Sequence, residues 1–414
     1  MNALSETGLH RETLSNGLEM VIMPRGHTGT VAVDLYVRFG CSLETEQRSG
    51  VANLLARMLP RGTSNRTSED IAGEIAATGG SVGAAAHYLS SLAMAYAPAE
   101  AFELVLDIVT DIAVNPLLDE SDLEKERGIL LHDLAAREDF PSYVFDKKVS
   151  AWMFPGHPFG RPSDGTAESV SQLTIQNVRQ IHYTYFVPNN MLLVVVGNVS
   201  VKTARSLIEE KLDGLPPRDL PGSRPPPMPK LDGTVRETIS RRVAQAQLFL
   251  GTRMDGIDMR GEYVLNVLDT VLGHGMNSRL FTQIRENRGY VYDVHVEGTV
   301  YPDILVWGVE AGTEAKRLDE VEKLVRRELD KLTRETVSDR EMEVANKYIE
   351  TGIRRSAEVN DGLASNMGAT IVRGRPLLSV EERVELVRSV SKQEVRDLAT
   401  RLFGSGDLHV FVMK

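Results

Sequence analysis

The chain has 414 residues, 42% hydrophobic and 25% charged, which is too long for one ordinary core and suits a soluble protein of two domains. Its net charge of −11 comes without any block of Lys or Arg, which argues against nucleic acid as a partner. The single cysteine, Cys41, excludes an internal disulfide, and the longest apolar stretches, such as Met191–Val196, have only the length of a strand, so a membrane span is not expected.

Met1 to Arg11 has neither the apolar segment nor the cationic start of a secretory signal, so the expected location is the cytoplasm. Thr30–Arg38 reads as a β-rich run that precedes a helix. The helix starts near Ser49, and Gly62 should end or bend it. Glycine is the usual residue past a helix end, and Arg61 just before it suits the negative end of the helix dipole. Gly79–Ala86 is a strand of small residues, with His87 on the same strand. Ala101–Ile112 has apolar residues at helical spacing. Phe154–Pro162 and Gly165–Glu168 read as loop, where His157 is expected to be structural.

Near the end of the first half, Val178-Arg179 leads to Phe186 and then to a strand over Leu192–Val196. Near the C-terminus, Val395-Arg396 leads to Phe403 and then to a strand over His409–Met413. The offset is 217 residues at both places, which points to a duplicated unit and not to a short-period solenoid. Between the halves, seven of the 18 prolines (216, 217, 221, 225, 226, 227 and 229) make helix or central strand untenable. The expected division is therefore a domain over 1–214, a linker over 215–233 and a domain over 234–414. Ala244–Leu250 and Leu318–Leu332 repeat the strand and helix of the first half, which argues for α+β layers with helices mainly on one face of a mixed sheet. Gly273-His-Gly275 lacks the lysine and spacing of a phosphate-binding loop.

The segment from Gly50 to Thr63 resembles the signature of the inverzincin metallopeptidases, the family of pitrilysin, insulin-degrading enzyme and mitochondrial processing peptidase. In that family H-x-x-E-H places two zinc-binding histidines on one helix face, with a glutamate that activates the zinc-bound water. A third ligand follows about 76 residues after the second histidine. Here those positions are Asn53, Ala56, Arg57 and Asp133. Alanine cannot act as a base, and arginine has no lone pair for a metal. Asn53 and Asp133 alone make a poor zinc site, and neither His132 nor His87 is placed to rescue it. An ion pair of Arg57 with Asp133 is expected where the metal would lie. The strand containing Gly83, Ala84, Ala85 and Ala86 resembles the family's edge strand for extended substrate. Leu272–Leu280 resembles its glycine-rich turn. Arg285 and Tyr292, seven apart, match the pair that holds substrate and stabilises the oxyanion.

The resemblance implies two homologous α+β domains facing each other as a half-clamshell. It also implies a chain that is inactive alone, without cofactor, and forms the non-catalytic subunit of a two-chain zinc metallopeptidase. Zinc is expected in a homologous partner chain, with peptide as substrate and Arg285 and Tyr292 donated to the partner's active site. Neither nucleic acid nor membrane is an expected partner, and an isolated chain could also pair with itself. The alternative is an inert scaffold or peptide-binding relative without a protease role. Metal-dependent hydrolysis through unrelated ligands is a third reading.

Overall fold

The computed structural model describes residues 8–414 except 223, 232 and 407. The first half forms β1 (His10–Thr13), β2 (Glu19–Pro24), β3 (Thr30–Val37), α1 (Val51–Met58), α2 (Ser68–Thr78), β4 (Ser81–Ala86) and β5 (Ser91–Pro98). It continues through α3 (Phe102–Val114), α4 (Glu120–Arg137), α5 (Pro141–Met153), α6 (Ala167–Gln172), α7 (Ile175–Tyr185), β6 (Met191–Gly197) and α8 (Val201–Leu212). The second half begins with β7 (Arg236–Ile239), β8 (Ala246–Asp255), α9 (Met259–Gly273), β9 (Val291–Tyr301) and β10 (Ile304–Thr313). It ends with α10 (Leu318–Arg334), α11 (Asp339–Ser356), α12 (Asn360–Val372), α13 (Val380–Arg388), α14 (Lys392–Phe403) and β11 (His409–Met413). Among the described residues no helix or strand lies between α8 and β7, the proline-rich stretch.

The two sheets have matching topology. The first has six strands in the order β1-β2-β6-β3-β5-β4, the second five in the order β7-β11-β8-β10-β9. In each, a parallel pair (β2 with β6, β7 with β11) is followed by antiparallel neighbours. The sequence echo extends to the helix caps. α7 begins with a capping box of Thr174 and Asn177, and α14 with one of Ser391 and Glu394, again 217 residues apart. Each box satisfies donors that the first helical turn leaves unpaired, so the duplicated unit keeps its helix start as well as its core.

Alternation along the strands sets the two faces of each sheet. Val31, Val33, Leu35 and Val37 of β3 point into the main core with α1 and α3, while Ala32 and Tyr36 belong to a smaller cluster on the other face. In the second sheet Leu305, Trp307 and Val309 of β10 point into the core shared with α9, α10 and α14. Trp307 is fully buried, and its indole N–H donates to Asp269 of α9 at 2.8 Å.

The chain forms two compact units, and each borrows a helix from the other half of the sequence. One unit contains residues 1–140, 154–229 and 356–379, and the other 141–153, 230–355 and 380–414. Thus α5 packs with the second sheet and α12 with the first, an exchange that linear boundaries at 214 and 234 do not express.

Candidate functional site

Helix α1 is short, and its start is fixed from the preceding turn. The Glu44 carboxylate accepts from the backbone N–H of Gly50 at 2.9 Å and of Ala52 at 2.8 Å. Burial pushes this acid up to about 7, although both N–H groups favour its charged form. At its other end, α1 passes into a 3₁₀ turn over Leu59–Arg61, and Gly62 stops it with φ +149°. Gly62 therefore ends the helix, as expected from sequence.

α1 packs against α4, and the two helices bring together the positions that the resemblance compares with zinc ligands. Asn53 and Arg57 are four apart on α1, so they share a face. Arg57 Nη2 donates to Asp133 Oδ2 at 2.9 Å, and Arg57 Nε donates to Asn53 Oδ1 at 3.0 Å. Asn53 Nδ2 then donates to Asp164 Oδ1 at 2.7 Å, and Arg137 pairs with the same carboxylate. Arg57 also lies 3.9 Å from Glu126, which pairs with Arg61. The Glu126 side chain is only 3% exposed, so these cations offset a charge that burial alone would make costly. Ala56 is buried and offers no polar atom.

The expected ion pair of Arg57 with Asp133 is present, but it is the centre of a larger cluster. Arg61, Glu126, Arg57 and Asp133 form a run of ion pairs, and Asn53 links it to the pair of Arg137 with Asp164. Sequence reasoning did not assign Glu126, Arg61, Arg137 or Asp164 to the site. Glu126 had a readable signal, since it lies seven residues before Asp133 and hence on the same face of α4. Asp164 had none, because it comes from a loop that only the fold brings to Asn53.

A zinc ion does not fit these residues. Arg57 has no lone pair to offer, the Asn53 oxygen already accepts from Arg57, and Asp133 is engaged as the counterion. Among the described residues no group of three His, Cys, Asp or Glu side chains could hold a metal ion. His87 lies one residue past β4, where its backbone N–H bonds to Ser90 O at 2.8 Å in the turn. His157 is buried, with one ring nitrogen 2.9 Å from Pro226 O and the other 3.2 Å from Phe159 N.

β4 is the edge of its sheet and runs beside α1. Val82, Ala84 and Ala86 pack against the main core, so Gly83 and Ala85 fall on the opposite face. Among the described residues one backbone edge of the strand has no partner strand, which is the requirement for adding an extended peptide.

Arg285 and Tyr292 belong to the second unit. Arg285 lies in a π-helical turn over Phe281–Glu286, and Tyr292 is the second residue of β9. The turn back at Gly289 brings the guanidinium 5.8 Å from the Tyr292 ring centre and 4.7 Å from that of Phe281. Tyr292 is 76% exposed, so it is not a packing residue of the core.

Residues 20–167 match the family described as Insulinase (Peptidase family M16), and residues 172–348 match its Peptidase M16 inactive domain. The chain belongs to the peptidase M16 family. An uncharacterized zinc protease of Mycobacterium leprae is 29% identical over 409 residues, spanning 97% of this chain and 90% of that protein. The uncharacterized zinc protease YmxG of Bacillus subtilis is 25% identical over 397 residues, spanning 95% of this chain and 96% of its own. In fold, this M16 chain is similar to a protease from Helicobacter pylori, with TM-score 0.91, 19% identity and coverage of 98% and 99%. It is also similar to a peptidase M16 inactive domain from Pseudomonas fluorescens, with TM-score 0.86, 18% identity and coverage of 98% of both chains. Among the described residues of the M16 chain no helix is long and apolar enough to cross a membrane.

Proposed function

We propose that this M16 chain is the non-catalytic subunit of a two-chain zinc peptidase, whose partner is a homologous chain with an intact H-x-x-E-H segment. The observation that carries the reading is the Arg57–Asp133 pair, a cation and its counterion at positions that the resemblance compares with the family's zinc ligands. Here each charged group of the cluster has a counterion, as expected of a surface kept for assembly or peptide binding.

In this reading the homologous partner would hold the zinc and supply its Lewis-acid chemistry. The present chain supplies groups that need no metal. Arg285 offers a fixed charge and several N–H donors for the peptide backbone. Tyr292 offers an exposed phenolic O–H to the developing oxyanion. The free edge of β4 offers backbone partners for an extended segment.

The test is reconstitution. The chain is mixed with a homologous zinc-bearing chain from the same source, complex formation is read from mass in solution, and cleavage of a peptide library is followed. The proposal expects a complex of the two chains and cleavage that needs both. Full activity of the zinc-bearing chain alone, or failure of the chains to associate, would leave the inert-scaffold reading in its place.

A further inference from the structure

Each sheet has a second face away from its main helix layer, and each such face is closed by the one helix borrowed from the other half of the sequence. In the first unit α12 lies across β3 and β6, with Ala364, Met367 and Ile371 packed in a cluster with Ala32, Tyr36 and Val194. Its start is pinned by Asn360, whose Nδ2 donates to Thr28 Oγ1 at 3.0 Å and Thr30 O at 2.9 Å. In the second unit α5 packs on β8, Trp152 stacks on Phe411 at 4.8 Å, and Arg253 donates to the Met153 carbonyl.

Each of these helices covers a carboxylic acid of the sheet and sets a second acid near it. Beneath α12 the acid is Asp34, which is 5% exposed. Its strand neighbours are Val194 and Met94, and its hydrogen bond is with the Tyr36 hydroxyl at 3.4 Å. No salt bridge to Asp34 is present among the described residues. The only charged residue of α12 is Asp361, another carboxylate. Beneath α5 the acid is Glu310 of β10, which pairs with Phe249 of β8. Asp146 faces it from α5, and Asp293, His295 and Glu297 face it from β9. His295 Nε2 lies 3.6 Å from Glu310, but the other ring nitrogen is 3.0 Å from Asp293. Of the cations of this unit, Lys147 lies over the Tyr143 ring, and Arg253 donates to the Met153 carbonyl. Lys148 completes the charged residues of α5, and His409 stands on β11.

We propose that α12 and α5 are proton-controlled straps, each held down while the sheet carboxyl beneath it (Asp34 or Glu310) carries a proton, and each loosened separately when that proton leaves. Ionisation puts a charge under an apolar helix face and opposite a like charge on that helix, and both effects favour release. Burial, the largest cause, and the neighbouring acid push Asp34 up to about 7, and the same two causes raise Glu310, whose side chain is 27% exposed. In an undocked strap each acid returns to the ordinary carboxylate range near 4. Between those values the docked form keeps a proton that the open form has lost. Docking therefore weakens as pH rises through this window and levels off above about 7, with the opening equilibrium rising by up to about tenfold per pH unit per acid.

The measurement is hydrogen–deuterium exchange of the full chain between pH 5 and 8, corrected for the intrinsic pH dependence of exchange. Peptides from α12 and α5 are compared with those from α3, which belongs to a main helix layer. The expected result is that α12 and α5 lose protection by up to about tenfold per pH unit and plateau above pH 7, while α3 does not. D34N should abolish the slope in α12 alone, and E310Q in α5 alone. D361N and D146N remove the strap's own carboxylate and should leave the corresponding strap better protected at pH 7.5; they keep the question open to experiment if D34N or E310Q fails to fold. Flat protection of both straps in the natural chain, or slopes unaltered by D34N and E310Q, would overturn the proposal.

Discussion

Arg57 and Asp133 are 76 residues apart in sequence and meet through a 2.9 Å hydrogen-bonded ion pair that joins α1 to α4. Deleting the guanidinium leaves Asp133 without its counterion and takes one of two cations from the buried Glu126. R57A should therefore destabilise the chain by about 1–3 kcal/mol in chemical denaturation, the usual cost of stranding a buried polar partner. D133N should cost less, since that carboxylate is more exposed than Glu126 and its loss leaves Arg57 with Asn53 and Glu126. The two changes should not add, because they break the same contact. Additive losses would mean that the pair is incidental.

The same residues predict the metal behaviour. The purified chain should hold no stoichiometric zinc and cut no peptides alone, because Arg57 and Ala56 cannot ligate or act as a base. Elemental analysis after dialysis against a weak chelator is the check. One zinc per chain, lost together with peptidase activity on stronger chelation, would refute this.

Glu44 predicts a pH effect on α1. Its folded pKa of about 7 lies above the ordinary 4.5. Between these values the folded chain keeps a proton that the unfolded chain has lost, so the contribution of this acid to stability is greatest at low pH and falls as pH rises toward 7. E44Q removes the titration but keeps one oxygen as acceptor for Gly50 or Ala52. The stability of the natural chain relative to E44Q should fall steadily from pH 5 to 7 and then stay level. Parallel stability curves would show that Glu44 does not titrate in this range.

Gly368 predicts how tightly α12 is fitted. A Cβ built there lies 2.1 Å from Cε2 of Tyr36, a ring that is itself buried between helix and sheet. G368A must push the helix or the ring aside and should destabilise the first unit by about 1–3 kcal/mol, as overpacking does. The companion variant Y36A/G368A makes room for the methyl group and should remove that clash. Thermal melting of the single and double variants separates the two terms, and an unchanged midpoint for G368A would show that α12 is not closely seated.

How much of this was legible beforehand depends on how local the signal is. The strand at His409–Met413, the helix stop at Gly62 and the repeated Val-Arg…Phe segments were readable because each depends on neighbours in sequence. Asp133 was readable only through the family's ligand spacing. Asp164, Arg137 and Arg61 were not, because their partners come from other segments of the fold. The exchange of α5 and α12 was equally hidden. α12 reads Asn-Asp-Gly-Leu-Ala-Ser-Asn-Met-Gly-Ala-Thr-Ile-Val, so small that it shows no strong apolar stripe, and it packs through closeness of approach more than through large side chains. The pair Arg285 and Tyr292 was found by resemblance, and composition alone would have left both as surface residues.

The most direct measurement of the central claim is single-turnover cleavage by the reconstituted two-chain complex carrying Tyr292→Phe or Arg285→Ala in this chain. Complex formation is first confirmed by mass, so that assembly and chemistry are separated. A donor that acts mainly on the transition state lowers kcat more than it weakens substrate binding, and losing one typically costs on the order of 100-fold or more. The account predicts such a loss for Tyr292→Phe with assembly intact, and a loss at least as large for Arg285→Ala, because substrate positioning goes as well. Natural cleavage rates from both variants in fully assembled complexes would contradict it.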